Sequence, residues 1–147
     1  MEYDTVCLVD HCLESYVSLT GIPVTKLSPK ANTPFLDESN AYMKDEPEGL
    51  LSNVVLKILM KIVYCARYCR PDILRATCSM ARRVTKWTTE CDRRFHRLVS
   101  YMQLTRFHKQ YAYIGDKFSD CSLALFADAD YAGDKTDSFP RQVCLLP

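Results

Sequence analysis

Three kinds of feature are missing from this sequence, and each absence excludes a class of protein. The longest apolar stretches are short and interrupted by Lys57 and Lys61, so none is long enough to span a membrane. The first residues, MEYDTV, place acids at Glu2 and Asp4, where a secretory signal would have a basic region followed by an apolar one. We therefore expect an intracellular protein, cytoplasmic or nuclear, that has no membrane partner and is not secreted.

Metal-ligand spacing is also missing. The chain has 8 cysteines and 3 histidines, but no two cysteines stand as C-x-x-C, which excludes the usual zinc-ribbon and zinc-knuckle patterns. Four of the cysteines fall within helical patterns, where cysteine usually acts as a small buried apolar residue. Without a secretion signal, we expect free thiols in a reducing compartment. There is no internal repeat.

The charge that is present is unevenly distributed. A net charge of +1 over 147 residues hides a basic middle between two acidic ends. Residues 54–110 carry 13 Lys and Arg against three acids, a net of +10, whereas residues 1–53 have −6 and residues 111–147 have −3. Such asymmetry indicates a polyanionic partner for the middle segment. The alternative is a solvated basic surface that binds nothing.

Hydrophobic periodicity predicts helices in the same segment. A helix over 10–20 is followed by an extended linker up to residue 48, and three helices follow at about 49–69, 71–87 and 90–104. The first of these three is apolar around most of its circumference, which predicts burial on several sides. The second should bury Trp87, and the third should leave Arg93, Arg94 and Arg97 outside. Thr89 and Asp92 have the spacing of a capping box.

The pattern changes after Thr105. Residues 110–114 and 122–128 are short, apolar and aromatic, and turn signals between them predict a β-hairpin. The expected fold class is α+β: a mainly helical three-helix core with a short C-terminal antiparallel hairpin. The predicted segments are 1–48 (helix and linker), 49–106 (basic bundle), 107–134 (strands) and 135–147 (tail). Asp128 and Asp130, at the end of the second strand, are candidate Mg²⁺ ligands. The alternative is an acidic turn, since Asp is common where strands end, and the spacing alone favours the turn.

Several motifs, taken in order, resemble the polyprotein of copia-type retrotransposons, in the part that leads from the reverse-transcriptase palm into ribonuclease H. They are Arg70-Pro71-Asp72-Ile73-Leu74, Val84-Thr85-Lys86-Trp87, Cys91-Asp92-Arg93-Arg94 and Phe126-Ala127-Asp128-Ala129-Asp130-Tyr131-Ala132-Gly133-Asp134. The resemblance covers about residues 50–134. It implies that the basic helices are a thumb or connection segment that contacts an RNA/DNA template–primer duplex, and that other pieces of the polyprotein are partners.

The resemblance also implies site residues. Asp128 corresponds to the first catalytic carboxylate of ribonuclease H, which binds Mg²⁺ in the family, with Asp130 as its neighbour. The residues expected to contact phosphates are Arg67, Arg70, Arg82, Arg83, Lys86, Arg93, Arg94 and Arg97.

The sequence departs from the family after Asp134, where Thr136-Asp137-Ser138-Phe139-Pro140 replaces the expected continuation, and the chain ends 19 residues beyond Asp128. We therefore expect a catalytically inactive fragment of the polyprotein. The alternative is a free-standing helical module that binds nucleic acid or protein and has no enzymatic role.

Overall fold

The structure is a computed structural model that describes residues 2–27, 30–35, 46–113 and 115–122. It also describes the backbone of the two short strands at 129–130 and 141–142. The chain divides into two compact units, Met1–Leu36 with Met43–Ala112 and Asp37–Tyr42 with Tyr113–Pro147. Within the described residues, no helix has both the length and the apolar character needed to cross a membrane.

The first unit is mainly helical. Its α-helices are α1 (Val6–Thr20), α2 (Val55–Cys69), α3 (Pro71–Ala81) and α4 (Thr89–Leu104), and 3-10 turns stand at Val24–Lys26 and Val84–Lys86. Gly21 ends α1 in the left-handed conformation, with its N–H bonded to the Val17 carbonyl, as expected of a glycine after a helix. Pro71 separates α2 from α3 and opens α3 at its first position, where a missing N–H costs nothing.

Three predicted helix boundaries were wrong. Helix α1 begins at Val6 rather than at residue 10. Residues 49–54 form turns before α2 rather than its first turns. Helix α3 ends at Ala81, and the chain continues through a 3-10 turn to Trp87, although the apolar periodicity continues through Val84. Trp87 is nonetheless buried as predicted, with 3% of its surface exposed, and its ring meets Phe95 edge to face at 6.0 Å.

The core lies among all four helices. α1 contributes Val9, Cys12, Leu13 and Tyr16, so the core contains one helix more than the predicted three. The remaining core residues come mainly from the buried faces of α2, α3 and α4, including Ile58, Leu59, Ile62, Ile73, Met80, Phe95, Leu98 and Met102. The fold class, α+β with a mainly helical core and short antiparallel strands, is confirmed.

The strand pairing differs from the prediction. Strand β2 (Gln110–Tyr111) pairs antiparallel with β1 (Glu2–Tyr3), which lies near the start of the sequence. A pairing across more than 100 residues leaves no local signal, whereas the hairpin prediction used only neighbouring segments. In the second unit, β3 (Ala129–Asp130) pairs antiparallel with β4 (Arg141–Gln142). Residues 114 and 123–128 of the predicted hairpin lie outside the described residues.

Asp92 has a different role from the predicted capping box. The residue before α4 is Thr88, and its side chain makes no capping hydrogen bond. The buried Asp92 carboxylate instead accepts the backbone N–H of Leu50 at 2.6 Å and of Leu51 at 3.3 Å, and the Trp87 indole N–H at 2.6 Å. One carboxylate therefore fixes the turn before α2 to the start of α4.

Residues 46–49 continue this attachment. The Glu46 carboxylate accepts the backbone N–H of Glu90, at the positive end of the α4 dipole, and the Pro47 carbonyl accepts the N–H of Thr89. The N–H of Gly49 donates to the Trp87 carbonyl. The last residues of the predicted linker are thus fixed by hydrogen bonds to the start of α4.

Candidate nucleic-acid interface

The basic residues expected to contact phosphates do not all reach the surface. Arg67, Arg82, Lys86 and Arg93 are exposed, and Arg83 and Arg97 are half-buried. A phosphate contact needs a cationic head group that a polyanion can approach, so these six residues remain candidates. The other two, Arg70 and Arg94, are buried, at 2% and 6% exposure.

Arg70 is held inside the first unit by its partners. Its guanidinium donates to both carboxylate oxygens of Asp72, at 2.9 and 2.8 Å, and to the backbone carbonyl and hydroxyl of Thr105, at 3.1 and 2.7 Å. Burial alone would lower the pKa of Arg70, but the hydrogen bonds and charge of Asp72 raise it. Arg70 thus joins the α2–α3 corner to the end of α4, and we do not include it in the interface.

Arg94 shares a carboxylate with its neighbour. Glu90 accepts the Nε–H of Arg94 at 2.9 Å and a bidentate pair from Arg93 at 2.7 and 2.8 Å. The hydrogen bonds from Arg93 and Arg94 hold the pKa of Glu90 below its usual value. Two guanidinium groups thus share one carboxylate, and 66% of the Arg93 side chain is exposed. Because Arg94 lies inside, the expectation that it lies outside was wrong.

A cleft of about 430 Å³ lies between α4 and an earlier part of the chain that contributes Ile22, Lys26, Leu27 and Ala31. Three cations line it: Lys26, Arg93 and Arg97. The described residues around the cleft, none of them acidic, are Ile22, Lys26, Leu27, Ala31, Arg93, His96, Arg97 and Ser100. Arg93 is paired with Glu90, whereas Lys26 and Arg97 form no ion pair with a described acid. A concave site concentrates the positive potential of such cations and attracts anions.

Arg97 is oriented by the segment that the sequence predicted to be a linker. Its Nε donates to the Thr33 carbonyl at 3.0 Å and its Nη2 to the Thr33 hydroxyl at 2.9 Å. A guanidinium carries five N–H donors, and these two bonds use two of them. The side chain is therefore positioned by the protein while it keeps donors for a phosphate oxygen.

His96 adds no charge to the cleft at neutral pH. Burial lowers its pKa, and its Nδ1 is hydrogen-bonded to the Tyr16 hydroxyl at 2.5 Å. Burial also raises the pKa of Tyr16 to about 12, so the phenol keeps its proton and can donate it to Nδ1. The positive charge of the cleft thus comes from its lysine and arginines.

Sequence reasoning missed Lys26, which lies in the acidic N-terminal third of the chain. The charge count over residues 54–110 could not include it, because the fold brings residues 22–31 against α4 across about 70 residues of sequence. The only local signal was the proline-flanked Val24-Thr25-Lys26 segment, and proline and lysine are also common in surface loops.

The predicted catalytic and metal-binding residues lie at the limit of the described chain. Asp128 is outside the described residues, and the structure gives only the backbone of Asp130, in β3. Among the residues whose side chains are described, no group of three or more His, Cys, Asp or Glu could hold a metal ion. The catalytic role of Asp128 and Mg²⁺ binding at Asp128 and Asp130 stay predictions.

The exposed cations and the concave cleft form a surface suited to an anionic ligand. Arg70 and Arg94 are buried and do not belong to it. The chain matches no protein-family model, and no curated protein or solved structure is significantly similar to it.

Proposed function

We propose that the first unit binds the phosphate backbone of a nucleic-acid duplex without reading its sequence. The observation that carries this proposal is the cleft in which Lys26, Arg93 and Arg97 face a common space, and among whose described lining residues there is no acid. Contacts to phosphate position a protein on a duplex but carry no sequence information. The exposed Arg82 and Lys86, in the turn region before α4, would add affinity of the same kind.

The resemblance to copia-type polyproteins supports the same ligand. In that family the corresponding helices contact an RNA/DNA template–primer duplex, and other pieces of the polyprotein would then be partners of this chain. The proposal does not depend on a catalytic role for Asp128. It requires only that the cleft, together with Arg82 and Lys86, binds phosphates.

The experiment compares two variants that lose the same charge. The cleft variant is Lys26→Gln/Arg93→Gln, and the control variant is Arg75→Gln/Lys117→Gln, which removes two exposed cations that do not line the cleft. Binding to a labelled RNA–DNA hybrid is measured by fluorescence anisotropy between about 50 and 200 mM salt.

The cleft variant should bind more weakly, and its slope of log affinity against log salt should be shallower by about 1.8, since each phosphate contact contributes about 0.9. The control should keep the slope of the wild type. Equal slopes and affinities in the two variants would contradict the proposal and favour a basic surface that is only solvated. Circular dichroism of both variants checks that they fold.

A further inference from the structure

Helix α2 presents an apolar stripe to solvent. Its other face is buried in the core, but Leu56, Met60, Tyr64 and Tyr68, each four residues after the last, are 48%, 49%, 61% and 64% exposed. Residues four apart lie on the same side of a helix. Single exposed apolar residues are ordinary, whereas a continuous row of four marks an interaction surface. The sequence predicted burial of this helix on several sides, and this stripe is where that prediction was wrong.

The two tyrosines of the stripe form a flat aromatic surface. Their rings lie parallel within 11°, with centroids 6.1 Å apart. Parallel stacking is a favourable arrangement of two aromatic rings, so Tyr64 and Tyr68 keep this orientation without a bound ligand. Such preformed flat surfaces can accept a further ring.

Cations border the stripe on the same helix. Lys57, Lys61 and Arg67 are exposed and are each one residue away from a member of the stripe, and Lys61 also donates a hydrogen bond to Ser15 of α1. The 15 residues of α2 include no acid. A second copy of this face would bring like charges together, which disfavours self-association through the stripe.

A groove of about 440 Å³ opens beside the stripe, between α1 and α2. Met60 and Tyr64 belong to both features, and the groove is also lined by Leu8, His11, Cys12 and Lys61. This volume lies within the usual range of small-molecule sites, and its wall combines an apolar floor with a lysine and a histidine. The groove thus offers a concave site next to the exposed tyrosine ring.

We propose that the stripe binds single-stranded nucleic acid, with unpaired bases stacked on Tyr64 and Tyr68 and phosphates on Lys57, Lys61 and Arg67. The ligand must be single-stranded because bases in a duplex stack on each other and offer no ring face, whereas an unpaired base can stack on a protein aromatic. Interleaved aromatic and basic residues are the pattern by which proteins hold single strands without sequence preference. The inference deepens the proposed nucleic-acid function and adds a second, separate site to it.

The test removes the rings and keeps the apolar surface. The test variant is Tyr64→Leu/Tyr68→Leu, and the rescue variant is Tyr64→Phe/Tyr68→Phe, which keeps both rings. The matched control is Phe107→Leu/Tyr111→Leu, since these aromatics are 69% and 55% exposed in the same unit but lie outside α2. Binding of labelled oligo(dT) and of a duplex of equal length is measured by anisotropy.

The leucine variant should bind oligo(dT) at least about fivefold more weakly than the wild type, which is the loss expected for one stacked base. The phenylalanine variant and the control should bind oligo(dT) like the wild type, and duplex binding should be unchanged in all three. This pattern would support the stripe as a single-strand site.

Three results would overturn the inference: unchanged oligo(dT) binding in the leucine variant, an equal loss on oligo(dT) and duplex, or a wild-type dimer that the leucine variant dissociates in sedimentation. The last would assign the stripe to a second copy of the chain. Duplex binding reports on the cleft. If the leucine variant binds oligo(dT) like the wild type while duplex binding stays salt-dependent, the single-strand site on the stripe is rejected and the proposed function of the cleft is retained.

Discussion

The Asp92 carboxylate offers a sharp test of how the first unit is held together. Asp92→Ala removes the acceptor of three N–H groups, of which the Leu51 amide and the Trp87 indole N–H are buried. Leaving a buried donor without a partner costs about 1–3 kcal/mol. For two such donors, the free energy of unfolding should fall by roughly 2–6 kcal/mol, a large share of the 5–15 kcal/mol or so that is typical of a domain.

The assay is urea denaturation followed by circular dichroism and by fluorescence, for which Trp87 is the only tryptophan in the chain. Glu14→Ala is the control, because it deletes an exposed carboxylate from α1 and should change stability by no more than about 0.5 kcal/mol. An Asp92→Ala midpoint indistinguishable from that of Glu14→Ala would refute the reasoning.

A double-mutant cycle separates the indole bond from the rest. Trp87→Phe keeps an aromatic ring and deletes the N–H that Asp92 accepts. If the bond contributes as drawn, Trp87→Phe should cost less in the Asp92→Ala background than in the wild type, because its acceptor is already gone. Equal costs in both backgrounds would show that the two side chains are not coupled.

Two further predictions concern the same unit. Gly49→Ala should destabilise it by about 1–3 kcal/mol, because a Cβ there would stand 2.6 Å from the Thr88 carbonyl oxygen; a denaturation midpoint at or above that of the wild type would contradict this. Burial would raise the pKa of Asp72, but the hydrogen bonds from Arg70 lower this pKa. The ionised Asp72 should therefore stabilise the fold above about pH 4, and this stabilisation should be lost as the pH falls through the lowered pKa. Stability measured between about pH 5 and 2 should therefore fall less steeply in Asp72→Asn than in the wild type, and parallel curves would remove Asp72 as a source of the acid sensitivity.

The sequence predicted the elements whose causes are local. Pro71 and the apolar period place the boundary between α2 and α3, and α4 begins and ends within a residue of the prediction. The end of α3 could not be predicted, because Val84 and Trp87 keep the helical period although the backbone there is a 3-10 turn. Periodicity reports which residues are buried, and a 3-10 turn can bury the same residues.

What depends on distant parts of the chain escaped sequence reasoning. The burial of Arg70 requires Thr105, 35 residues away, and the cleft requires Lys26 and α4 to meet. The exposure of the apolar stripe of α2 could not be predicted from the sequence either. An apolar pattern tells how much of a helix can be buried, but only the packing of its neighbours decides which face they cover.

The pairing between the two ends of the first unit has a consequence for folding during synthesis on the ribosome. Tyr16 meets His96, Asp10 meets Arg106, and β1 meets β2. Helix α1 also packs against α2, but it can make these other contacts only after the last helix has been made. At about 5–20 residues per second, the roughly 85 residues that separate the end of α1 from the end of α4 take about 4–17 s to synthesise. During that interval the part of α1 that α4 covers is exposed to water, so a chaperone that captures nascent amphipathic helices should bind this chain early and release it once α4 has emerged.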